Sequence, residues 1–220
     1  FTADPVLARV FGGQMGAGFR AEVLPRSAQG GTPGSAAGVR LRLRYTLADM
    51  DMIGLCRARK MDTSLSGIAS FEGDFHGVAR NPDDIPGAFS GTCAFRVRNG
   101  AIRSSADATS APVTTFSSLS ASGQLTNGVL SNNDLLLTGD TVSATGRGAM
   151  HLGKQTLDYR LNISLPGVPD IPVHYYGSLD KPERTVNAAR AITGTLTNIG
   201  SGVLHLLEGA VSTPLRLMRP

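Results

Sequence analysis

Residues 39 to 48 read VRLRLRYTLA, and their alternation constrains the fold more than any other feature of the chain. Val39, Leu41, Leu43, Tyr45 and Leu47 occupy one parity; Arg40, Arg42, Arg44, Thr46 and Ala48 occupy the other. A helix would scatter these apolar side chains around its whole circumference. A strand collects them on one face and leaves the arginines on the other. The same pattern recurs downstream. Phe71 and Phe75 alternate with Glu72, Asp74 and His76, and Cys93, Phe95 and Val97 with Thr92, Ala94, Arg96 and Arg98. Leu157, Tyr159, Leu161, Ile163 and Leu165 alternate with Asp158, Arg160, Asn162 and Ser164. Val173, Tyr175 and Leu179 belong to a further strand after Pro172.

Turn-forming residues separate these runs: Asn81-Pro82, Asn99-Gly100, Asn127-Gly128, Ser131 to Asp134, Gly139-Asp140 and Gly153-Lys154. Connections this short join antiparallel neighbours, because parallel strands need long crossovers. The expected fold is therefore mainly β: a curved antiparallel meander, an open groove or half-barrel, with one apolar and one wet face. A closed β-sandwich, its apolar faces packed on each other, satisfies the same pattern.

Three segments depart from it. Residues 25–38, PRSAQGGTPGSAAG, read as a loop within a sheet domain spanning 1–183, and residues 49–61 as a short helix with Met52, Leu55 and Cys56 on one side. From 184 to 213, Ile192, Leu196, Ile199, Val203, Leu206 and Ala210 recur at spacings of three and four. That is an amphipathic helical stripe, with Thr185 placed to cap it and Pro214 to end it. Gly194, Gly200, Gly202 and Gly209 weaken such a helix, so it is expected to dock on the sheet.

Composition narrows the function classes. With 41% hydrophobic and 17% charged residues the chain is a folding one. The net charge of +4 is spread, without a basic run, which argues against nucleic acid. No run of 18 apolar residues exists to cross a membrane as a helix. The chain begins at Phe1, and the expectation is a piece of a longer protein.

Residues with the chemistry of a site are sparse. His76, His151, His174 and His205 lack ligand spacing to one another or to the cysteines, so no metal or cofactor is expected. Cys56 and Cys93 form no metal motif; they pair only if the fold brings them together, and otherwise act as small apolar residues. Glu72 and Asp74 lie about 7 Å apart along one strand face. That is a spacing a glycosidase can use, although a solvated strand face is the plainer reading. GGQMGAG (12–18) lacks the order of a phosphate-binding loop and reads as a Gly-rich hairpin. Asn162-Ile163-Ser164 matches a glycosylation sequon but sits inside a strand.

From Ser66 onward the order of segments resembles the C-terminal region of the AsmA-like family of Gram-negative envelope proteins. The carrying stretches are FSGTCAFRVRNGAI (89–102), TFSSLSASGQLTNGVLSNNDLLLTG (115–139), VSATGRGAMHLGKQTLDYRLNISL (142–165) and IPVHYYGSLDKPE (171–183). They cover about half the chain; the first 65 residues match loosely. Family members carry a longer insert where this chain has RSSADATSAPVT (103–114).

The resemblance implies a non-enzymatic protein of the periplasm, anchored in the inner membrane by an N-terminal segment outside this chain. Its apolar β-groove would carry phospholipid acyl chains between the two membranes and support outer-membrane biogenesis. The expected partners are phospholipid and the bacterial envelope membranes, with envelope proteins as further candidates and no cofactor. The residues expected to line the groove are Leu41, Leu43, Tyr45, Phe71, Phe75, Phe95, Val97, Leu157, Tyr159, Leu161 and Ile163. Leu135 and Leu137 share a face and Leu136 takes the other, so both faces of that strand are expected to meet something apolar.

Overall fold

The computed structural model describes residues 2–24, 38–58, 65–81, 85–103, 113–179 and 181–186. Eleven strands follow one another: β1 (Thr2–Val10), β2 (Gly13–Leu24), β3 (Gly38–Asp51), β4 (Leu65–Ala79), β5 (Phe89–Arg103), β6 (Val113–Thr126), β7 (Val129–Thr138), β8 (Ser143–His151), β9 (Thr156–Leu165), β10 (Val168–Ser178) and β11 (Pro182–Val186). Two short helices interrupt them, α1 (Met52–Ala58) and α2 (Ile85–Ala88). The strands form a single curved sheet in the order β1 to β11, each antiparallel to the next. β1 and β11 are its edges, so the meander is open and not closed into a barrel.

Local chemistry explains the connections. Phe11 and Gly12 (φ 49° and 77°) join β1 to β2, and Asn127 and Gly128 (φ 47° and 76°) join β6 to β7. Both are two-residue hairpins with two positive φ angles, the turn whose twist matches the strands it connects. GGQMGAG accordingly forms one hairpin arm, with Gly13 to Gly18 inside β2. The α1 start is capped by Asp51, whose carboxylate accepts the backbone N–H groups of Ile53 (3.1 Å) and Gly54 (3.3 Å).

Two expected turns are instead strand irregularities. β5 runs straight through Asn99-Gly100 to Arg103. There Asn99 and Gly100 face the single residue Gly67, since Arg98 pairs with Ile68 and Ala101 with Ser66. That is a β-bulge, and Asn99 with φ 49° supplies its left-handed residue. Likewise Ser131 to Asp134 lies within β7, where register shifts against both β6 and β8. In each case the polar residues that signal a turn serve to bend a continuous strand.

Other boundaries move as well. Of the helix read over 49–61, residues 49–51 belong to β3, Met52–Ala58 form α1 and 59–61 lie outside the described residues; α2 is an element the sequence reading does not contain. Thr185, read as the cap of a helix starting at 184, pairs with His174 in β11. The remainder of that stripe, and residues 25–37 of the expected loop, lie outside the described residues.

The apolar parities of β3 to β10 form one contiguous buried cluster. Several glycines sit mid-strand within it, where rings occupy the space a side chain would take. A Cβ on Gly73 would fall 2.6 Å from the Tyr45 ring, and one on Gly100 would fall 2.0 Å from that of Phe116. The 27 glycines of the chain are therefore not only turn residues: some make room for aromatic side chains over a tightly curved sheet.

Candidate functional site

All eleven residues expected to line an apolar groove lie on this face and belong to its cluster. In β3 to β5 they meet across strands. Leu43 pairs with Phe75, and Phe71 with Phe95. Ring centroids are 6.2 Å apart for Tyr45–Phe75 and 6.3 Å for Phe71–Phe95. Leu157, Tyr159, Leu161 and Ile163 lie four strands away on β9. The two groups are joined by residues absent from that set: Leu119 and Leu125 of β6, Leu130, Leu135 and Leu137 of β7, and Met150 of β8. Their signal was present but diluted. Leu119 and Leu125 alternate with serines and Gln124, while Ala121 and Gly123 hold the positions between them.

From β3 to β10 the face is well covered; Phe75, Val97, Leu119, Leu137 and Ile163 are each 0% exposed. Toward the open edges cover decreases. Val6 on β1 is 58% exposed, Val23 on β2 66% and Val186 on β11 41%. Each is registered to the apolar parity, Val6 through Ala17 to Tyr45, Val23 through Val39, and Val186 through Val173. Leu136 is different. It lies on the opposite face between Ser120 and Thr145 and is 47% exposed; among the described residues no apolar cover lies over it.

One polar chain penetrates the apolar layer at the β7 irregularity. The Tyr159 hydroxyl donates to Asn132 Oδ1. Asn132 Nδ2 donates to Ser122 O (2.6 Å) and Asp134 Oδ1 (2.7 Å). Asp134 also accepts from Ser122 N (2.9 Å) and Oγ (2.5 Å). The bulge thus turns the buried Asn132 inward, where it satisfies a phenol that would otherwise be stranded. Burial pushes the Tyr159 phenol well above its ordinary range. Cys93 is likewise buried and free, with its thiol pushed up to about 12 by desolvation, the condition of an inert core cysteine.

The opposite face carries the charges. Arg42 donates to Asp74 through Nε (3.1 Å) and Nη2 (2.9 Å), and Arg44 through Nε (3.1 Å) and Nη2 (2.6 Å). The Arg42 hydrogen bond leads in holding the Asp74 carboxyl at about 2, with Arg44 adding to it against some desolvation. Asp74 is thus committed to an ion-pair cluster with two arginines of the neighbouring strand β3, and a carboxylate so held is a poor acid partner for Glu72. A concavity of about 620 Å³ lies on this face beside them, lined by Thr46, Ser70, Glu72, Arg96, Ser120 and Asp134 among others. His174 contacts Asp158 at 3.0 Å. Among the described residues, no group of three or more His, Cys, Asp or Glu is placed to hold a metal ion, and no helix is long and apolar enough to cross a membrane.

The Asp74 cluster has a measurable pH signature. Its folded-state pKa lies below the unfolded value of about 3.9, so the stabilisation is present above that value and is lost as pH falls toward about 2. Asp74→Asn is expected to lower stability at pH 7 by about 1 kcal/mol, modest because the arginines are solvated. It should also flatten the decline of melting temperature between pH 4 and 2. An unchanged acid limb would show that the cluster contributes nothing.

The fold and this face together define an open, single-sheet antiparallel meander with one continuous apolar side. Comparison with protein-family models, with curated proteins and with solved structures returned no match.

Proposed function

We propose that the chain is a non-enzymatic lipid-handling module of the AsmA-like kind. Its apolar face receives phospholipid acyl chains and passes them between the inner and outer membranes of a Gram-negative envelope, in support of outer-membrane biogenesis. In this reading it works in the periplasm, tethered to the inner membrane by a segment preceding it. The observation that carries the reading is that the apolar parity does not stop where burial stops. It continues onto β1, β2 and β11 through Val6, Val23 and Val186, which are exposed at the open edges. An acyl chain entering from an edge would meet these valines first.

The thorough burial of the β3 to β10 face favours a second reading, a scaffold or protein-interaction domain with an ordinary closed core. Lipid extraction of the purified chain separates the two. The first reading expects stoichiometric phospholipid by mass spectrometry and transfer of a fluorescent phospholipid between vesicles. The pair Val23→Asp and Val186→Asp should reduce that transfer at least ~5-fold while leaving the melting temperature in place, since substitutions at exposed sites cost little. Lipid-free protein without transfer activity would establish the scaffold.

A further inference from the structure

Tyr175 of β10 and Arg184 of β11 are directly opposed. Opposed residues of an antiparallel pair share a face, so Arg184 stands on the apolar side of the sheet, at its margin. Tyr175 is only 2% exposed, yet its hydroxyl proton has no acceptor. The phenol one strand further in shows that this is not general: Tyr159, paired with Tyr175, has its hydroxyl satisfied by Asn132. Burial raises the Tyr175 phenol, and the neighbouring Arg184 guanidinium opposes that rise by its charge and by hydrogen bonding; a guanidinium only donates, so the phenol's own proton still has no acceptor. Arg184 itself is exposed and, among the described residues, belongs to none of the ion pairs. A buried donor without an acceptor and a cation without an anion therefore sit side by side. Both deficits are met by one chemical group, an oxyanion.

The geometry points to an anion subsite at the β10–β11 margin, where the Arg184 guanidinium and the Tyr175 hydroxyl hold the phosphate or carboxylate head of an amphiphile whose acyl chain runs inward along the apolar face. The inference rests on the lipid-handling reading and adds the polarity of the ligand and its orientation. The guanidinium offers two parallel N–H groups to two oxygens, and the phenol donates to one of them. Val186 and Val173 lie beside this pair on the same face, so the start of the acyl chain meets apolar surface immediately. Head at the margin and chain toward Tyr159 is the order the side chains impose.

The test compares two probes with identical fluorescent acyl chains, phosphatidic acid and diacylglycerol, on the full chain. The wild type is expected to bind phosphatidic acid at least tenfold more tightly. Arg184→Gln, at an exposed position, should abolish that preference while leaving diacylglycerol binding unchanged. Tyr175→Phe keeps the buried ring and should weaken phosphatidic acid alone, by a few fold, without lowering the melting temperature. Equal binding of both lipids by the wild type, or a preference that survives Arg184→Gln, would overturn the subsite and leave the lipid-handling reading standing. Failure of both lipids to bind would overturn both. Inorganic phosphate binding as tightly as phosphatidic acid would assign the pair to a free anion and overturn the amphiphile.

Discussion

Phe95→Arg is expected to abolish cooperative folding. Phe95 is 4% exposed, its ring packs against Phe71, and the neighbouring Ala69, Val97 and Leu119 are each 0% exposed. Among the described residues its neighbours on that face are buried and apolar, so a guanidinium there meets neither water nor a carboxylate. An uncompensated buried charge costs several kcal/mol, comparable with the whole stability of about 5–15 kcal/mol of a typical domain. At an open groove wall the same charge would reach water and cost little; at a covered centre it should unfold the chain, and the centre is covered. The measurement is thermal unfolding followed by circular dichroism, with Phe95→Leu as the control, expected to lose only about 1–2 kcal/mol. Retention of a sharp transition within a few degrees of wild type would mean that the centre of the face opens to solvent.

The second large effect is expected at Gly91. This residue pairs with Phe75 in the middle of the sheet and has φ 152°. A Cβ there would lie 2.1 Å from the backbone oxygen of Asp74 and 2.9 Å from the Cα of Phe75. Backbone on the other side of a central ladder cannot step aside as a flexible side chain can. Gly91→Ala should therefore separate β5 from β4 locally and destabilise by about 3 kcal/mol, the scale of combined backbone strain and overpacking. It should also disturb the ion pairs of Asp74 with Arg42 and Arg44, since that carboxylate hangs from the displaced residue. Urea unfolding gives the stability change. A loss below about 1 kcal/mol would show that the two strands tolerate the added atom.

Much of the architecture was legible because β3, β4, β5 and β9 alternate cleanly. In Val39 to Ala48 and Leu157 to Leu165 each apolar residue has a polar neighbour, and period 2 alone assigns the face. All eleven groove candidates came from such segments, and all of them lie on one face. The middle of that face was harder to read. β8 presents Ala144, Gly146 and Gly148 on the apolar parity, and β6 presents Ala121 and Gly123. Small residues there leave space that Tyr159, Leu161 and Leu130 fill from adjacent strands, so the apolar volume at those points is supplied by a neighbour. Alternation within one segment does not reveal it.

The bulges were misread for a related reason. Asn99-Gly100 and Ser131 to Asp134 have turn chemistry, and local sequence does not say whether the chain reverses or only kinks. Pairing with both neighbours decides it. β5 continues beyond Asn99 because β4 and β6 lie on either side to receive Ala101 and Ile102.

By itself the sequence determined the cleanly alternating strands, their antiparallel succession and the division into an apolar and a charged face. These follow from period-2 patterning and short turns, which are properties of neighbours along the chain. Only the tertiary structure decided that the sheet stays open between β1 and β11, that Asn132 turns inward to Tyr159, and that Arg184 stands opposite Tyr175 at the margin of the apolar side. Each of these depends on register between strands distant in sequence, or on which strand is left without a neighbour. Register is set by the sum of all cross-strand contacts and not by any one segment.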